Sequence, residues 1–193
     1  MSASVFFLIL AQCETHARRM LWAKRALQTV LPLNAKRLHE LGDAQVAIVD
    51  QFVGRFAKLQ DAMGTKLLPT VLELTKEQGD LDAYLDKLNR LEKIGALSSV
   101  DEWLELREMR NAFAHDYPED SELQAAILNR AFSASGRLVE ILQHIKKFAA
   151  RYTHEWSSDT LQSMAQSRII KASRVGLAAL WFGRLTTTAR VSR

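Results

Sequence analysis

The sequence predicts an all-α fold, an up-and-down bundle of four to five main helices followed by a basic C-terminal extension. Two observations carry this. Only eight Gly and three Pro punctuate 193 residues, and the composition is rich in helix formers such as Leu, Ala, Lys, Glu and Arg. Apolar residues recur at steps of three and four, and no stretch alternates as a half-buried strand does. An apolar fraction of 48% suffices for one sizeable core, so residues 1–155 are expected to form the bundle and 156–193 an appendage.

The first helix is expected from about Phe6 to Val30, halted by Pro32. Its start, Val5 to Ala11, is apolar but lacks preceding basic residues. It is also too short to span a bilayer and runs into Glu14, Arg18 and Arg19, so it reads as the first turns of a core helix. Shorter pieces are expected at Ala35 to Leu41 and Thr70 to Lys76, with a longer helix from Ala44 to Ala62 halted by Gly64. Leu81 to Ile94 forms a helix closed by Gly95, with Tyr84, Leu85, Leu88 and Leu91 inward. Ser99 and Glu102 stand in capping-box spacing before Val100, Trp103, Leu106, Met109 and Phe113, and Pro118 disfavours the α conformation at Tyr117, ending that helix there. The last helix runs from Ser121 to Tyr152. Ser121 and Gln124 form its expected capping box, and Ile127, Ala131, Ala134, Leu138, Ile141, Ile145, Phe148 and Tyr152 make its stripe.

Charge is uneven. Six basic residues against Asp159 alone give the segment after Trp156 a net +5, which leaves −1 for the rest of the +4 chain. Three readings of this tail stand together: an RNA-binding arm, a surface-binding helix, or a loosely docked extension. Cys13 has no partner for an internal disulfide, consistent with a reducing, cytoplasmic compartment, and it reads as a small buried residue rather than a nucleophile. His16, His39, His144 and His154 share no ligand spacing, and neither a Gly-rich phosphate loop nor a Gly-x-Ser-x-Gly elbow occurs. Neither a metal nor a cofactor is therefore expected.

The segment Arg110-Asn111-Ala112-Phe113-Ala114-His115-Asp116-Tyr117 carries the chemistry. Arginine grips anionic oxygens with a planar fork, and histidine moves a proton near neutral pH. RNA is cut when its own 2′-hydroxyl attacks the adjacent phosphorus, which needs proton transfer and a cation for the developing charge. His115 fits the first role and Arg110 the second. Asn111 and Arg107 lie at four-residue steps before His115 and are supporting candidates for orienting the imidazole or a phosphate. Taken alone, the same residues also fit a plain surface, with His115 on terminal carbonyls and Arg110 paired to Glu105, Glu108 or Glu119.

The spacing resembles the Arg-x4-His signature of the HEPN superfamily, extended by x-Tyr in the toxins of HEPN/MNT toxin-antitoxin pairs. Arg110, His115 and Tyr117 meet every fixed position. Arg-x4-His alone arises by chance in roughly one such chain in three, and with the tyrosine in about one in a hundred. The resemblance covers roughly Ala11 to Tyr152, best over Leu81 to Tyr152. It implies a helical bundle and a metal-independent endoribonuclease that cleaves at the interface of a homodimer. It also implies a nucleotidyltransferase antitoxin, with Tyr117 as the residue to which that partner attaches AMP.

An ideal helix would put Arg110 and His115 roughly 140° apart, poorly convergent within one chain. A two-fold pairing of motif helices supplies both halves of a cleft, and the long apolar stripe offers a surface for it. Two further readings stay open: a non-catalytic HEPN partner acting as the substrate-binding subunit of a nucleotidyltransferase, and a helical interaction subunit with an inactive motif.

Overall fold

The computed structural model describes residues 3–77, 83–113 and 120–153. Residues 1–152 form one compact unit. Within it the chain is an all-α bundle: α1 (Ala3–Ala26), α2 (Ala35–His39), α3 (Asp43–Ala62), α4 (Leu68–Leu74), α5 (Tyr84–Lys93), α6 (Val100–Ala112) and α7 (Ser121–Ala149). A π-turn, Met63–Leu67, joins α3 to α4, and a 3-10 turn, Ala150–Tyr152, follows α7. Among the described residues there is no strand, and no helix is long and apolar enough to cross a membrane.

The α1 helix buries Phe6, Leu10, Cys13, Ala17, Met20 and Ala23, a row at steps of three and four that lies against α3. It ends at Ala26 rather than Val30, because Gln28 and Val30 turn to three-residue backbone bonds with Arg25 and Leu27. Asn129 of α7 then clamps the connection. Its amide donates to the Leu33 carbonyl at 2.7 Å and accepts from the Leu33 N–H at 2.8 Å, satisfying both backbone groups of a residue outside any helix. Burial pushes the Cys13 thiol up to about 12, so at neutral pH it is a packed apolar residue.

Gly64 does not stop α3. The chain widens through the π-turn and continues as α4, so the expected break is a continuous helical path. Pro69 accounts for the wide turn, since its ring lacks an N–H and crowds the carbonyl four residues back, that of Thr65. Gly64 itself answers to packing: a Cβ there would sit 3.1 Å from Trp103 Cζ2 and 3.3 Å from Tyr84 Oη.

Gly95 does close its helix as expected. It adopts φ +77°, and the Ala96 N–H reaches the Leu91 carbonyl at 2.8 Å while Gly95 N–H reaches Glu92, a Schellman ending. On α5 Leu88 and Leu91 are buried against α4 and α6, but Leu85 is 50% exposed.

Two caps differ from expectation. Ser99 Oγ accepts from the Glu102 N–H, yet the Glu102 carboxylate does not return to the cap, because Arg137 of α7 draws it away. At α7 the cap is Asp120, whose carboxylate accepts from Leu123 N–H, and Ser121 Oγ instead pairs with His39 Nε2 at 2.9 Å.

The α7 stripe from Ala131 to Phe148 is buried as expected, with Ala125, Leu128, Phe132, Leu142 and Ala149 beside it, while Tyr152 is exposed. This face meets α1, α2 and α6 of the same chain, and Phe132 stacks on Phe52 with centroids 4.1 Å apart. From Ala131 to Phe148 the stripe is consumed inside one bundle, so this part offers less spare surface for dimerisation than the sequence suggests.

Candidate functional site

Arg110 is carried by α6, which buries Val100, Trp103, Leu106 and Met109, and it lies within about 40° of Trp103 and Leu106 around the helix. The helix ends at Ala112 with Phe113 as its C-cap, short of the expected Tyr117. Phe113 turns inward, edge-on to Phe56 of α3 at 5.6 Å, and this contact pins the end of α6 to the core. His115 and Tyr117 lie outside the described residues.

Arg110 does not pair with Glu105 or Glu108. Its Nη2 donates to Asp61 Oδ2 of α3 at 2.8 Å, and its Nη1 lies 3.3 Å from Asn111 Oδ1, so two elements hold the guanidinium. Glu105 is occupied elsewhere, by Arg130 and Arg137 of α7. Thr65 Oγ1 donates to the Asp61 carbonyl at 2.7 Å, bracing the end of α3 where the π-turn begins. Arg107, one turn before Asn111, lies with its guanidinium 4.4 Å over the Tyr84 ring, and Tyr84 Oη accepts from Trp103 Nε1 at 2.8 Å. The fully buried Trp103 thus supports Tyr84, and Tyr84 supports Arg107.

These residues enclose a cleft of about 240 Å³ between α3, the π-turn, α5 and α6. Two donors on its lining have no partner: Gln60 Nε2 and Arg110 Nε, both buried. A buried polar group left unpaired costs roughly 1–3 kcal/mol, more when charged, so each marks an incompletely satisfied site. Three of the residues named from the sequence, Arg107, Arg110 and Asn111, line this cleft together.

Sequence reading missed Gln60, Asp61, Gly64 and Thr65. One signal was present. Gln60 continues the four-step row Phe52–Phe56–Gln60 and is only 3% exposed, a polar residue in a core register.

A cationic face lies on α1 and α3. Arg55 Nη1 donates to His16 Nδ1 at 3.1 Å, and burial, then the charges of Arg55, Lys58, Arg19 and Lys66, hold the His16 pKa below its ordinary value. The unfolded chain therefore binds a proton here more readily than the folded one. The contribution of His16 to stability is complete above its unfolded pKa, about 6.5, and is lost as pH falls below that value. Lowering pH from 7.5 to 5 should depress the melting temperature less in His16→Gln than in the wild type; parallel curves would show that His16 contributes nothing to the pH dependence.

The other described histidines have local partners: His39 meets Ser121, and His144 Nε2 donates to the Gly95 carbonyl at 2.9 Å. Among the described residues no three His, Cys, Asp or Glu converge as a metal site.

The fold and cleft define a helical bundle with an arginine-lined polar pocket. Compared with protein-family models, curated proteins and solved structures, the chain has no significant match.

Proposed function

We propose that this chain is a HEPN-type toxin, a metal-independent endoribonuclease acting through Arg110 and His115. The observation that supports the reading most is the placement of Arg110, the motif arginine, in a polar cleft with its Nε unpaired. In this mechanism the 2′-oxygen forms a bond to phosphorus and the 5′-oxygen bond breaks, leaving a 2′,3′-cyclic phosphate and a 5′-hydroxyl. His115 transfers the proton, and Arg110 offsets the charge that builds on the non-bridging oxygens. Cleavage of RNA in the presence of EDTA, yielding cyclic phosphate ends, is the expected result; intact RNA under those conditions removes the reading.

The second reading, a non-catalytic substrate-binding partner of a nucleotidyltransferase, gains weight from the Asp61 contact, which already neutralises Arg110. It predicts tight association with the partner and no cleavage by the chain alone.

A homodimer and an MNT-type nucleotidyltransferase antitoxin complete the proposal, and both rest on the resemblance. Sedimentation should give twice the chain mass, and a fully active monomer would exclude a composite cleft. Incubation with the partner and ATP should add nucleotide mass to the wild type. Tyr117→Phe, which keeps the ring and removes the acceptor oxygen, should take up none while still cutting RNA. Undiminished modification of Tyr117→Phe would move the acceptor elsewhere.

A further inference from the structure

We propose that the cleft between α3 and α6 is a subsite for a phosphodiester oxygen of the RNA, and that Gln60, outside the motif, contacts the substrate there beside Arg110 Nε. The inference rests on the ribonuclease reading for its ligand and on the geometry of the cleft for its residues. Gln60 is 97% buried, given its 3% exposure, yet its Nε2 has no partner, and Arg110 Nε shares that state on the same lining. Elsewhere on the core side of α3 the residues are apolar and self-sufficient: Val49, Phe52, Phe56 and Leu59. An amide at this position gains nothing from packing, so its use lies in the cleft.

Both unpaired atoms are donors, so the complementary group is an acceptor with several lone pairs. A phosphodiester has two non-bridging oxygens and carries a charge that suits the guanidinium. The Asp61 carboxylate also lines the cleft and by itself repels an anion. Arg110 neutralises it, and Arg107 then leaves the three charged groups at a net +1. Asp61 engages Nη2 and Asn111 lies beside Nη1, so Nε is the guanidinium donor left without a partner. The cleft, about 240 Å³, suits a phosphate group with part of its sugar and not a folded RNA element. The remaining nucleotides then pass outside it.

The test is binding of a fluorescent single-stranded RNA whose 2′-hydroxyls are methylated, which removes the attacking group and separates binding from cleavage. Gln60→Leu should weaken binding about tenfold, the loss of one hydrogen bond to a charged group, without lowering the melting temperature. Gln60→Glu should weaken it further, since a carboxylate faces the phosphate. Inorganic phosphate should compete with the RNA on the wild type only at far higher concentration. Equal competition would assign the site to a free phosphate and overturn the RNA subsite. Wild-type affinity in either variant would overturn the role of Gln60. If the wild type binds the methylated RNA through Gln60 but does not cut ordinary RNA, the ribonuclease reading fails and the subsite stands.

Discussion

Arg110→Ala is expected to lower RNA cleavage by about 10²–10³-fold, the usual cost of removing one group that stabilises transition-state charge. His115→Ala should lose at least as much. Because both residues serve one transition state, the double variant should be little worse than the more damaging single one. Arg110 is a third exposed at its side chain and sits at the end of a helix whose core contacts lie on other residues. The variant should therefore keep its helicity, and circular dichroism separates loss of chemistry from loss of fold. Wild-type cleavage by either single variant would remove these residues from the mechanism.

Trp103→Ala is expected to cost about 3–5 kcal/mol of stability, the range for deleting a buried large aromatic side chain. Trp103 is completely buried, packs under Gly64, and donates to Tyr84. Its removal opens a cavity between α3 and α6 and unties Tyr84 from beneath Arg107. At roughly 2–4 °C per kcal/mol for a chain of this size, the melting temperature should fall by about 10 °C. Trp103→Phe, which keeps a ring but not the donor, should fall less. An unchanged melting temperature for Trp103→Ala would contradict the packing around Gly64.

The helices were legible because their signals are local. The steps of three and four in α1, α6 and α7, the Ser99 cap and the Gly95 ending each lie within one or two turns of chain. The departures came where a neighbour outcompeted a local preference. Arg137 took the Glu102 carboxylate from the cap, Asn129 held the Leu33 loop, and Trp103 explained Gly64 as a close approach rather than a stop. Spacing also marked the α7 stripe as a candidate dimer surface, whereas Ala131 to Phe148 are buried within the chain's own bundle. Periodicity reports that a face is apolar and is silent about which surface covers it.

By itself the sequence determined the all-α class, the main helices, and the motif segment that places Arg107, Arg110 and Asn111 on one element, since all of these follow from residues within a few turns of one another. Only the tertiary structure decided what Arg110 touches. Asp61 stands 49 residues earlier and Gln60 next to it, and no periodicity or motif links positions so far apart. Their meeting depends on the packing of α3 against α6 around Trp103 and Gly64, where the absence of one Cβ sets how closely two helices approach.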